Sequence, residues 1–134
     1  MKKQNITEAM LLCAEKVGVV EALHRFYGVD IRVKIHYSKA VCQQDVDELQ
    51  LSVRSHNALK RSGLFTVGQI VDAIADGSME RIRNLGRKSI SEIKTVLLQL
   101  GYDQLTKQEK GAFFRYVAEN NEIKLQSEEF PLLL

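Results

Sequence analysis

The run Asn84-Leu85-Gly86-Arg87-Lys88-Ser89 sets a glycine turn directly before two cations and a hydroxyl. It leads into a strongly amphipathic stretch in which Ile90, Ile93, Val96, Leu97 and Leu100 recur at helical spacing. A helix start leaves backbone N–H groups unpaired and carries partial positive charge, and both favour an anion. The chemistry this pattern suggests is phosphate binding by amides and basic side chains. The same residues also read as an ordinary capped turn, because Ser89 and Glu92 have capping-box spacing. Gly-x-Lys-Ser resembles the end of a nucleotide-binding loop, but the long glycine loop and the preceding strand are absent.

The elements around this turn read as mostly helical. Asn5 to Tyr27 is predicted as one helix with Met10, Leu11, Ala14, Val17, Val20, Leu23 and Phe26 on its packing face, stopped by Gly28. Val29 to Tyr37 alternates: Val29, Ile31, Val33, Ile35 and Tyr37 lie on one side, and Asp30, Arg32, Lys34 and His36 on the other. That is the pattern of a half-buried strand. Residues 38–50 read as a connector with a short helix. Ser52 caps a helix that Gly63 stops. Thr66 and Gln69 open the next by a capping box, and Asp76-Gly77 ends it. A short helix covers Met79 to Arg83, and Gly101 terminates the helix that follows the Gly86 turn. Thr106 caps a last helix, Lys107 to Glu119, broken at Asn120-Asn121, before the acidic and apolar tail SEEFPLLL. Within this order Lys60 to Ile70 is echoed by Arg83 to Ile93. Each is a helix end, a glycine hairpin and a new helix.

Charge is uneven along the 134 residues. Residues 1–50 carry seven basic and seven acidic side chains, 51–100 eight and four, and 101–134 four and six. The middle segment therefore holds all the positive bias, which permits anion or nucleic-acid binding. No apolar run approaches the roughly 18 residues of a membrane span, and the start lacks a signal-like cleavage site. Cys13 and Cys42 read as reduced thiols of a cytoplasmic protein. The three histidines are scattered, no catalytic pair has a convincing spacing, and neither a metal nor a cofactor is expected.

LSVRSHNALKRSGLFTVGQIV followed by RIRNLGRKSISEIKTVL resembles the C-terminal domain of the bacterial RNA polymerase alpha subunit, over Leu51 to Gly101. The resemblance implies a compact helical domain with helix-hairpin-helix character. It would bind the minor groove of A·T-rich DNA and be docked by transcription activators. By that resemblance Arg54 matches the minor-groove arginine and Asn57 the helix asparagine. Gly86, Lys88 and Ser89 match the turn that meets phosphate, Glu92 the acidic residue of the next helix, and Asn84 the turn asparagine. Arg87 keeps positive charge between them.

The expected organisation is thus mainly α. A helix and one β-strand fill 1–50, the DNA-binding domain spans 51–101, and a helix and tail follow over 102–134. Fifty residues are too few for the alpha subunit's assembly domain, so the chain reads as a free-standing relative, a regulator or a mobile-element protein. Two other readings stand beside DNA binding. One is a module that docks RNA polymerase or a transcription factor without autonomous DNA binding. The other gives the Val29–Tyr37 strand a role in pairing two chains as a homodimer. Arg54 can equally be a solvated surface charge, and Glu92 a capping or positioning residue.

Overall fold

The computed structural model describes residues 3–28 and 31–122. Seven α-helices are present among them: α1 (Lys3–Val17), α2 (Val19–Tyr27), α3 (Lys39–Cys42), α4 (Val53–Arg61), α5 (Val67–Ala75), α6 (Arg87–Asp103) and α7 (Lys107–Asn120). Two 3-10 turns, Val46–Glu48 and Ser78–Arg81, join them. The chain divides into two compact units, at Ile35/His36 and again at Gln104/Leu105. None of the described helices is long and apolar enough to cross a membrane.

In the unit of α1, α2 and α7, the buried side chains of Met10, Ala14, Leu23, Phe26, Phe114 and Val117 form the interior. The single helix predicted over Asn5 to Tyr27 is in fact two. Gly18 sits at φ 91, a left-handed conformation that a side chain would strain. Its N–H closes α1 on the Ala14 carbonyl, and its own carbonyl accepts from Ala22 N–H to begin α2. The apolar spacing carries through the break, so periodicity alone does not reveal it.

The other unit, His36–Gln104, packs α4, α5 and α6 around Val46, Leu59, Val67, Ile70, Met79, Ile93 and Leu97. Its helix starts are locally determined: Ser52 Oγ accepts from Ser55 N–H, and Thr66 and Gln69 form a complete capping box. Gly63, at φ 79, stops α4. Gly101 does not end α6, which continues to Asp103 with Gly101 buried inside it. The short helix predicted over Met79 to Arg83 is the 3-10 turn Ser78–Arg81.

The predicted strand is not formed. Val29 and Asp30 lie outside the described residues, and residues 31–38 have no strand partner; an isolated bridge, Asp45 to Thr66, is the β-pairing found among the described residues. Yet the alternation is physically real. Ile31, Val33, Ile35 and Tyr37 are partly buried, and Arg32, Lys34 and His36 are exposed. The backbone hydrogen bonds go to carboxamides instead of a neighbouring strand. Within the first unit, Arg32 N–H donates to Asn121 Oδ1 (2.7 Å) and the Arg32 carbonyl accepts from Asn121 Nδ2 (2.8 Å). Within the second, Gln104 Nε2 donates to the His36 carbonyl (2.6 Å) and Gln104 Oε1 accepts from Ser38 N–H (3.0 Å). An amide side chain presents the same donor and acceptor as a peptide, so each substitutes for one rung of a ladder.

Two tyrosines show how differently a buried hydroxyl can be treated. Tyr37 Oη donates to the Leu97 carbonyl at 2.9 Å, whereas the Tyr27 hydroxyl is buried without a hydrogen-bond partner. Burial pushes both phenols up to about 12. A raised folded-state value means that the stabilising contribution is complete below the unfolded value of 10.0 and is lost as pH rises through about 12. Tyr27→Phe is expected to stabilise by about 1 kcal/mol, and Tyr37→Phe to destabilise by about the same amount. Urea unfolding of the two variants near neutral pH reads both signs. Equal effects would contradict the assignment.

Candidate nucleic-acid interface

The site is built from two helix starts. α4 opens at Ser52 and α6 at Gly86. The capping box predicted from Ser89 to Glu92 is not formed, because α6 begins three residues earlier, with Gly86 in the cap position, Arg87 and Lys88 as its first residues and no side-chain cap. Glu92 serves another helix. Its Oε1 accepts from Ser55 Oγ (2.5 Å) and Ser52 Oγ (3.0 Å), and its Oε2 accepts from Ser52 N–H (3.2 Å). Ser55 is fully buried. Its hydroxyl chiefly, then the Ser52 hydroxyl and amide, hold the Glu92 carboxyl below the usual carboxylate range against the opposing effect of burial.

This clamp ties the two helix starts to one open cleft of about 520 Å³. Arg54, Gly86, Arg87, Lys88 and Ser89 line it together with Ser52 and Glu92. Asn57 and Asn84 do not line it. Asn57 lies one turn from Arg54 on α4. Asn84 has φ 67, the one left-handed non-glycine conformation among the described residues. A short polar side chain tolerates that geometry, so Asn84 shapes the turn.

The charges are placed against the helix dipoles. Neither α4 nor α6 has an acidic residue in its first turn, and there they carry Arg54 and Arg87 with Lys88. A cation at a helix N-terminus is unfavourable by ~0.3–1 kcal/mol. All three cations are exposed and have no ion-pair partner among the described residues. Elsewhere on α4 the arrangement is different: Lys60 Nζ lies 2.8 Å from Asp47 Oδ1, and His56 Nε2 pairs with the same carboxylate. Lys60 first, then His56, holds that carboxyl low. The cations at the cleft are therefore left without a direct ion pair, where one exists nearby on the same helix.

The echoing hairpin gives an internal comparison. At the start of α5, Gln69 Oε1 accepts from Phe65 N–H (2.8 Å) and Thr66 N–H (3.2 Å), and Thr66 Oγ1 accepts from Gln69 N–H (3.3 Å). That helix start is sealed by its own side chains, while the one at Gly86 is open. Gly86 also has φ −86 and ψ −178, a conformation open to any residue, and a Cβ there would meet nothing within 4 Å. Neither backbone geometry nor packing within the protein calls for glycine at this position. Among the described residues, no group of three or more His, Cys, Asp or Glu is placed to hold a metal ion.

Ser52 and Ser55 were not among the sequence-derived site residues. The spacing of Glu92 from Ser89 fits a local cap as well as it fits a partner on another helix, which concealed them. Because the Glu92 value is depressed, its stabilisation is present above the ordinary 4.5 and is lost as pH falls through the lower folded value. Glu92→Gln is expected to cost about 1 kcal/mol at about pH 7, allowing for solvent screening, and to match the parent at about pH 3. Urea unfolding at the two pH values measures this. A deficit that persists undiminished in acid would contradict the clamp.

Comparison with known proteins follows the same boundaries. Residues 34–99 match the family model for the C-terminal domain of the bacterial RNA polymerase alpha subunit. The DNA-directed RNA polymerase subunit alpha of Macrococcus caseolyticus (strain JCSC5402) is 43% identical over 65 residues, which cover 48% of this protein and 20% of that one. The corresponding subunit of Malacoplasma penetrans (strain HF-2) is 52% identical over 56 residues, 42% of this protein and 17% of the relative. The matched part thus spans about a fifth of the length of these curated relatives. No solved structure gives a significant match. The match begins well before Leu51 and runs from residue 34 into α6, the last helix of the second unit. Residues 34–99, which supply both helix starts and the cleft between them, are thus similar to the C-terminal domains of bacterial RNA polymerase alpha subunits.

Proposed function

We propose that the His36–Gln104 unit binds double-stranded DNA, A·T-rich by preference, and that the protein acts in transcription in the cytoplasm without catalysing a reaction. A backbone phosphate sits against the amides that follow Gly86, held by Lys88, Arg87 and the Ser89 hydroxyl. Arg54 enters the adjacent minor groove, where a narrow A·T tract concentrates negative potential. Asn57 reaches a groove edge or sugar, Asn84 sets the turn, and Glu92 positions Arg54 by fixing the start of α4. The observation that carries this reading is the set of exposed cations without an ion-pair partner on two helix starts that share one cleft. An incoming phosphate supplies negative charge to the uncapped start of α6 and to three cations that lack an ion-pair partner.

A second reading has its own observation. Phe65, at the tip of the sealed hairpin, is 49% exposed, and Val53 beside Arg54 is 76% exposed. Exposed apolar side chains suit a protein surface, so the unit can also dock RNA polymerase or a transcription factor. The two readings separate by what the cations do. Titration of a labelled A·T-rich duplex should show salt-dependent binding by the full-length protein. Arg54→Ala should weaken it about tenfold or more, and Lys88→Ala should lower the salt slope by about 1. Binding insensitive to salt, or unchanged in both variants, would contradict the DNA reading and leave protein docking as the function.

A further inference from the structure

Residues 31–35 of the first unit form a surface that the DNA-binding reading does not use. Their exposure alternates: Ile31, Val33 and Ile35 are partly buried, and Arg32 and Lys34 are exposed. The Arg32 N–H and the Arg32 carbonyl both reach the single carboxamide of Asn121. An extended backbone does this, because the N–H and C=O of one residue point to one side and those of the next residue to the other. The stretch is therefore strand-like in conformation although no strand pairs with it.

Its two edges are unlike. One is closed at Arg32 by Asn121. The other carries the N–H and C=O groups of Ile31, Val33 and Ile35, and none of these has a hydrogen bond among the described residues. Buried backbone groups are almost always paired, so a row of unpaired ones faces water. An edge of this kind is a template for a further strand.

The side chains select the occupant. Arg32 and Lys34 stand about 6.6 Å apart along the stretch, and neither has an ion-pair partner among the described residues. In an antiparallel pair built on the open edge, Ile31, Val33 and Ile35 take the hydrogen-bonded positions. The two cations fall at the positions between, where opposed side chains are closest. A second copy aligned over the same residues would set cation against cation, which is destabilising. The homodimer read from the sequence alternation is thus disfavoured at this edge. A strand with acids at alternate positions has the complementary charge.

We propose that residues 31–35 accept an extended segment of a partner protein in which acidic and apolar residues alternate. Its backbone pairs with Ile31, Val33 and Ile35, and its carboxylates meet Arg32 and Lys34. The test uses isotopically labelled full-length protein and a capped peptide of about seven residues that alternates glutamate and valine. At low salt, shifts and slowed exchange are expected at the amides of Ile31, Val33 and Ile35. Arg32→Glu combined with Lys34→Glu should weaken binding about tenfold or more. On the parent protein, N-methylation of each peptide valine should abolish binding, because those N–H groups point at the open edge. N-methylation of each glutamate, whose N–H points away, should be tolerated. Equal binding of a lysine–valine peptide would overturn the proposal, and so would equal effects of the two methylation patterns. Shifts absent with the peptide but present with a short single-stranded oligonucleotide would assign the cations to phosphate and also overturn it.

Discussion

The arrangement of the second unit depends on where one carboxylate puts its hydrogen bonds. Glu92 belongs to α6, but its three donors belong to the start of α4. Ser55 is completely buried, and without Glu92 its hydroxyl would lose the acceptor of its shortest hydrogen bond and keep only Ser52 Oγ as a partner. The Ser52 amide is one of the orphan groups at the start of α4, and it too is satisfied from α6. One side chain thereby caps a foreign helix and fixes the relation between two helix starts. Every feature of the cleft, from the position of Arg54 to the opening at Gly86, follows from that relation.

What the clamp assembles is locally unfavourable. Two dipoles point their positive ends at a cleft that already holds Arg54, Arg87 and Lys88. Stability alone would place acidic residues at both starts, as Glu109 stands in the first turn of α7. Among the described residues Glu92 is the one carboxylate that lines this cleft, and its oxygens accept from the start of α4, not from the cations. Departures from local rules gather at functional sites, where a ligand completes the pattern. The echoing hairpin sharpens the contrast within one protein. Where Thr66 and Gln69 seal the start of α5, the corresponding turn at Gly86 exposes its amides.

Features written into adjacent residues were legible in the sequence. The caps at Ser52, Thr66 and Thr106 and the stop at Gly63 each rest on contacts within a few positions, and each is present in the structure. Features decided by distant partners were not. The alternation of residues 31–37 reports which side chains are buried, and that much is correct. It does not report what pairs with the backbone, because Asn121 and Gln104 lie far along the sequence. The break at Gly18 was hidden because apolar spacing continues across it. The Ser89–Glu92 spacing was ambiguous in principle, since the same carboxylate can cap its own helix or a neighbour. For the site, Arg54, Gly86, Arg87, Lys88, Ser89 and Glu92 come together in one cleft, while Ser52 and Ser55 emerged only with the packing of α4 on α6.

The central claim is that the open helix start at Gly86 is shaped for an external anion and not for the fold. Gly86→Asp tests it in a single protein. Aspartate is a favourable N-cap, is drawn to the dipole and lies beside Arg87 and Lys88, so stability should rise by about 0.5 kcal/mol. The same carboxylate would occupy the place of a phosphate, so affinity for an A·T-rich duplex at low salt should fall by about tenfold or more. Measured together, a stabilised protein that no longer holds DNA is the predicted result. A stabilised protein that binds DNA as tightly as the parent would contradict the account.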